Sequence, residues 1–102
     1  MQQKQSKFVQ LIGKLIAFTY SQGYEFTFGD AWRADGKGHI ANSFHYIRLA
    51  IDLNLFVGGK WISIYSPEWQ LLGDYWKSLD PECTWGGDFK QLDYNHFSYG
   101  EK

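Results

Sequence analysis

Apolar residues recur at three- and four-residue steps near the start of the chain, at Phe8, Leu11, Ile12, Leu15 and Ile16, with Thr19 closing the series. That spacing places them on one face of a helix of about four turns ending near Gly23. Tyr24, Phe26 and Phe28 then alternate with Glu25 and Thr27, and this period of two predicts a strand with one buried face. Residues 34–43, Ala-Asp-Gly-Lys-Gly-His-Ile-Ala-Asn-Ser, carry the glycines and small polar side chains of a loop that could line a site. The alternation returns from Leu49 to Phe56. Leu49, Ile51, Leu53 and Leu55 share one face of this strand, and Ala50, Asp52 and Asn54 share the other. Gly58-Gly59 predicts a turn, with Trp61 to Tyr65 as the partner strand of a hairpin. Ser66-Pro67-Glu68 suits the start of a helix: serine caps, proline is preorganised for the first turn, and glutamate complements the helix dipole. Trp69, Leu72, Trp76 and Leu79 mark its buried stripe. After Asp80-Pro81 the chain turns glycine- and aromatic-rich, and irregular structure held by packing around Trp85 and Phe89 is expected.

Composition narrows what these elements can build. With 102 residues the chain has room for one domain, 1–102, and 44% hydrophobic residues with 20% aromatic are enough for a packed core. Ten lysines and arginines face eleven acids, with no basic run beyond Lys4, Lys7 and Lys14, which argues against nucleic-acid binding. The single cysteine, Cys83, has no partner for an internal disulfide and is expected to be a small buried residue. The polar start, Met1 to Lys7, and the interruptions at Gln10, Gly13 and Lys14 predict neither a signal peptide nor stable membrane insertion.

The candidate chemistry lies outside the apolar stripes. Strand alternation turns Asp52 away from the leucines, His45 sits just upstream, and Asp93 precedes His96 by three residues, a spacing that a helical or tight turn gathers on one side. Two histidines and a carboxylate are the protein ligands of many catalytic zinc sites, with a fourth position left open. An uncoordinated carboxylate beside such a site can act as general base, and Asp93 fits that role. A histidine within seven residues of an aspartate is common in soluble chains, so each half of the pattern is weak alone and the order of the whole carries the weight.

That order resembles the LAS metallopeptidases, the group of VanY-like and VanX-like D,D-peptidases and phage L-alanyl-D-glutamate endolysins. Their Ser-x-His-x-x-Gly-x-Ala-x-Asp motif is matched by Ser43, His45, Ala50 and Asp52, and their Glu/Asp-x-x-His motif by Asp93 and His96 in the aspartate form that resembles phage endolysins. The stretch Tyr24 to Arg33 resembles the family strand that leads to an arginine, and Trp85-Gly86-Gly87-Asp88-Phe89 resembles the segment before the final ligand. The resemblance implies an α+β fold of the hedgehog/D,D-peptidase type, a small antiparallel sheet with helices packed on it. It implies Zn2+ held by His45, Asp52 and His96, Asp93 as base, and Arg33 at the substrate or the developing oxyanion. Ser43 would hydrogen-bond substrate, or else cap the loop backbone. Arg48 departs from the pattern, standing where the family usually has glycine. His39 matches no part of either motif, and no ligand role is expected of it.

The expected reaction is hydrolysis of a peptide bond in the peptidoglycan stem peptide, by an L-alanyl-D-glutamate endopeptidase that acts as a phage or prophage endolysin. D-Ala-D-Ala carboxypeptidase activity is the close alternative. A second class of function is a non-catalytic cell-wall-binding module that uses the five tryptophans, with the metal site degenerate or structural. An endolysin of this kind is expected to be a monomer that accumulates in the host bacterial cytoplasm and reaches the wall after release.

Overall fold

The computed structural model of the protein describes residues 2–29 and 49–100. Helix α1 runs from Gln2 to Ser21 and strand β1 from Tyr24 to Phe28. Strands β2 (Ala50–Val57) and β3 (Lys60–Trp61) follow, then helix α2 (Pro67–Leu79). The chain closes with β4 (Cys83–Trp85), a single 3-10 turn (Gly86–Asp88) and β5 (His96–Tyr99). The sheet is antiparallel throughout, in the order β1-β2-β5-β4, with β3 also pairing β2. This is the α+β architecture that the family resemblance implied.

Helix α1 extends a turn and more beyond its apolar stripe, because the glutamines and lysines of its first turns are good helix formers that need no buried face. It stops where the spacing predicted: Gly23 takes a φ of 82°, and its amide donates to the Tyr20 carbonyl. In α2, the Ser66 hydroxyl accepts the Trp69 amide at 3.2 Å and Pro67 occupies the first turn.

Ile51, Leu53 and Leu55 of β2 share a sheet face with Phe97 of β5, which lies opposite Ile51, and both helices pack here. Phe97 is fully buried between Trp76, in an edge-to-face contact at 5.9 Å, and Trp69 at 6.2 Å, and Phe8 of α1 meets Trp76 edge-on at 6.1 Å. Each such side chain removed from water contributes roughly 1.5–3 kcal/mol. Cys83 is buried, as expected.

Two expectations are revised. The hairpin turn forms, with positive φ at both Gly58 and Gly59, but the partner strand is only Lys60–Trp61 and not Trp61 to Tyr65. One more hydrogen bond, from the Ile62 amide to the Leu55 carbonyl, ends the pairing. The rest of that edge of β2 belongs to β5, which pairs with Ala50 to Asp52 and extends through a bond from the Leu53 amide to the Asn95 carbonyl. The region after Pro81, expected to be irregular, supplies β4 and β5, with β5 inside the sheet. Among the described residues no helix is long and apolar enough to cross a membrane.

Candidate metal centre and active site

Asp52 and His96 are direct partners across the β2–β5 pair. Residues opposite one another in an antiparallel pair project to the same face, about 5 Å apart at Cβ. Here that face is the one turned away from Leu53, Leu55 and Phe97. The Asp52 Oδ1 and His96 Nδ1 atoms stand 3.8 Å apart, beyond hydrogen-bond reach for that pair. His96 is 6% exposed, and Phe89 covers it with ring centroids 5.1 Å apart.

Asp93 reaches the same place by a tight turn: the His96 amide donates to the Asp93 carbonyl at 3.1 Å. One potential ligand atom from each of Asp52, Asp93 and His96 lies within 4.8 Å of the other two, with Asp93 on the exposed rim. The turn is fixed from several directions. The Asp93 amide donates to the Gly86 carbonyl at 3.0 Å, the Trp85 indole N–H to the Tyr94 carbonyl at 2.7 Å, and the Leu53 amide to the Asn95 carbonyl at 2.9 Å. Gly86 permits this closeness, because a Cβ on it would stand 2.0 Å from the Asp93 carbonyl oxygen and 2.8 Å from the His96 Cβ.

Trp85 is itself seated on glycine. A Cβ on Gly73 of α2 would come within 2.2 Å of the indole ring, so the helix approaches the sheet closely enough to hold the ring that holds the Tyr94 carbonyl. Neither glycine, nor the part played by Trp85, was assigned from the sequence. Packing around Trp85 and Phe89 was expected and the segment resembles the family's, and the structure supplies the reason: it forms the wall and floor of the Asp93 turn.

On the other side of Asp52, the Gly29 amide donates to the Asp52 carbonyl at 2.8 Å. Gly29 and Leu49, the described residues that bound the 30–48 segment, thus both lie at the Asp52 end of β2. Arg33, His39, Ser43, His45 and Arg48 fall outside the described residues. Of the residues singled out in the sequence, the structure therefore brings Asp52, Asp93 and His96 together.

An imidazole nitrogen and carboxylate oxygens form a donor set suited to zinc, whose bonds of about 2.0–2.2 Å draw ligand atoms to within about 4 Å of each other. The 3.8 Å separation of Asp52 and His96 meets that requirement. The low exposure of His96 provides the dry shell such a site uses.

A carboxylate–imidazole cluster of this kind, on the outer face of a small α+β sheet, could hold a metal ion. The sequence profile of the D-alanyl-D-alanine carboxypeptidase family of M15 peptidases matches residues 36–99, and the chain belongs to this family. The resemblance seen in the two motifs is thereby borne out. Among solved structures, the chain is similar to the L-Ala D-Glu endopeptidase ChiX of Serratia marcescens, with a TM-score of 0.69 and 17% identity, over 92% of this chain and 78% of that one. No curated protein matches the chain.

Proposed function

We propose that the protein is a zinc-dependent peptidoglycan hydrolase that cuts the L-alanyl-D-glutamate bond of the stem peptide. The observation that carries the reading is the meeting of Asp52, Asp93 and His96 at the β2–β5 junction. Asp52 and His96 would hold the metal together with His45. Bound zinc supplies Lewis acidity that polarises a carbonyl and makes water nucleophilic near neutral pH. Asp93, on the exposed rim, accepts the proton of the attacking water at its carboxylate and returns it to the leaving amine. Its turn is held at Gly86, Trp85 and Leu53, so the carboxylate needs little reorganisation to do this. By the family resemblance, Arg33 would contact the substrate or the developing oxyanion, and Ser43 would hydrogen-bond the substrate.

Membership of the peptidase family and the printed activity of the Serratia structure support the reaction class. The family description favours the alternative bond, D-Ala-D-Ala, and the structural neighbour favours L-Ala–D-Glu. A binding module built on the five tryptophans has less support, since Trp69, Trp76 and Trp85 are buried in the core. Action as a phage or prophage endolysin is supported by the Asp-x-x-His form of the second motif, which resembles phage endolysins.

Mass spectrometry of purified muropeptides after digestion, with and without chelator, tests the proposal. New amino termini on D-Glu, abolished by chelation and restored by zinc, are expected; release of D-Ala would assign the other bond. Asp93→Ala is expected to lower turnover by roughly 10²–10⁴-fold while zinc remains bound. Full activity in that variant would remove Asp93 from the mechanism.

A further inference from the structure

A cleft of about 190 Å³ opens beside Asp93, between the end of the β2–β3 hairpin and the turn that leads into β5. Pockets that enclose a whole drug-sized ligand measure roughly 300–1,000 Å³, so this one has room for about one residue of a longer substrate. Exposed Trp61 and Leu92 give it apolar walls, and Asn54 and Asn95 line it with carboxamides.

Both asparagines are placed by the elements that place the site. Asn54 follows Asp52 by two residues on β2, so alternation puts it on the same outer face, about 7 Å further along the strand. Asn95 immediately precedes His96, and its carbonyl accepts the Leu53 amide at 2.9 Å. The two side chains meet. Asn95 Nδ2 donates to Asn54 Oδ1 at 3.4 Å, and Asn54 Nδ2 donates to Thr27 Oγ1 at 3.5 Å. Each carboxamide has two donor hydrogens and two acceptor lone pairs. Among the described residues these two long bonds leave each asparagine a donor and an acceptor. Both side chains are half-buried, so they are held at the cleft rather than swept through solvent.

Joined carboxamides present a donor and an acceptor side by side, the complement of the C=O and N–H of a secondary amide. The distance from Asp52 sets where on the substrate that amide lies. About 7 Å is the span of two residues of an extended chain.

Building on the peptidase reading, we propose that Asn54 and Asn95 bind one main-chain amide of the substrate, within two residues of the bond that is cut. Trp61 and Leu92 pack against the residue that carries this amide. The asparagines thereby fix the register in which an extended peptide lies across the metal site.

The test is an ester scan of a sugar-free stem pentapeptide, in which each amide within two residues of the scissile bond has its N–H replaced by oxygen in turn. At one position kcat/KM should fall about five- to tenfold through a higher KM, the effect of one hydrogen bond. In Asn95→Ala and in Asn54→Ala, each checked by a melting curve and by zinc affinity, that penalty should shrink toward none. Absence of a penalty at every position, or a penalty of the same size in both variants, would overturn the proposal. The disaccharide-linked peptide should give the same pattern. If loss of its sugars lowers kcat/KM in the native protein but not in the variants, and the ester scan is flat, the amide bound is an acetamido group and the main-chain assignment is wrong. If the native protein cleaves no stem peptide at all, the peptidase reading fails, and the cleft is judged by NMR of the Asn54 and Asn95 side-chain amides during titration with the pentapeptide. Saturable shifts of both, weakened in one ester analogue, support the amide site, and unmoved resonances refute it.

Discussion

At its C-terminal end β2 turns through Gly58 and Gly59 into β3, and the residues that pair there, Phe56 with Trp61 and Val57 with Lys60, are near neighbours in the chain. At its N-terminal end the same strand pairs Asp52 with His96, from the far side of α2 and β4. The first end closes a short loop at little entropic cost and needs only two residues with positive φ. The second is assembled by tertiary contacts: Gly73 admits Trp85, Trp85 holds the Tyr94 carbonyl, and Gly86 admits the Asp93 turn. Only the second end carries the acid and imidazole groups of the site. A glycine substitution should therefore cost local backbone strain at one end and catalytic geometry at the other.

The largest expected effect is that of Gly86→Ala. Its methyl group cannot coexist with the Asp93 carbonyl at 2.0 Å, so the turn must shift. A displacement of about 1 Å at a reacting group costs on the order of 10²-fold in rate. Peptide hydrolysis and zinc affinity, measured beside a melting curve, should both fall; native activity would show that the turn does not position Asp93.

Gly73→Ala comes next and should act on stability. Helix propensity alone would make alanine better here by about 1 kcal/mol. The 2.2 Å approach to Trp85 should outweigh that gain, since overpacking of a filled core typically costs about 1–3 kcal/mol. A higher melting temperature in this variant would contradict the packing described for α2.

At the other end, Gly58→Ala meets no neighbouring atoms, and only its φ of 60° opposes the new side chain. The expected cost is about 1–2 kcal/mol of left-handed strain, visible in denaturant titration, with kcat retained. A large loss of activity would erase the contrast between the two ends.

The smallest effect is expected at Lys77, whose ammonium lies 2.8 Å from Asp88 on the 3-10 turn. The hydrogen bond to Asp88 raises the lysine above its ordinary value of 10.5, against the opposing effect of burial. A raised folded-state value means that this contribution is fully present below pH 10.5 and is lost as pH rises through the folded value. Both side chains are substantially exposed, so Asp88→Asn should cost roughly 0.5 kcal/mol at neutral pH. Melting curves of the two proteins should converge at strongly alkaline pH.

The elements with local causes were legible in the sequence. The stripe from Phe8 to Ile16, the cap at Ser66-Pro67 and the turn at Gly58-Gly59 each act within a few residues, and each formed where expected. Period-two alternation also put Asp52 on the face away from the leucines, and a three-residue offset put Asp93 beside His96 through a tight turn. The reach of β3 was not legible, because it depends on how much of β2's edge β5 occupies. Nor were β4 and β5: at three and four residues they are too short to show a period, and they are strands because β2 and the buried rings of α2 select that conformation.

The sequence by itself singled out Asp52, Asp93 and His96 and their order along the chain, since residue type and short spacing are local properties of a chain. The tertiary structure decided that Asp52 and His96 face each other, that Asp93 shares their edge, and that Gly73 and Gly86 make room for this. Such juxtaposition depends on which distant segments pair and how closely backbones approach, and no periodicity along the chain records either one.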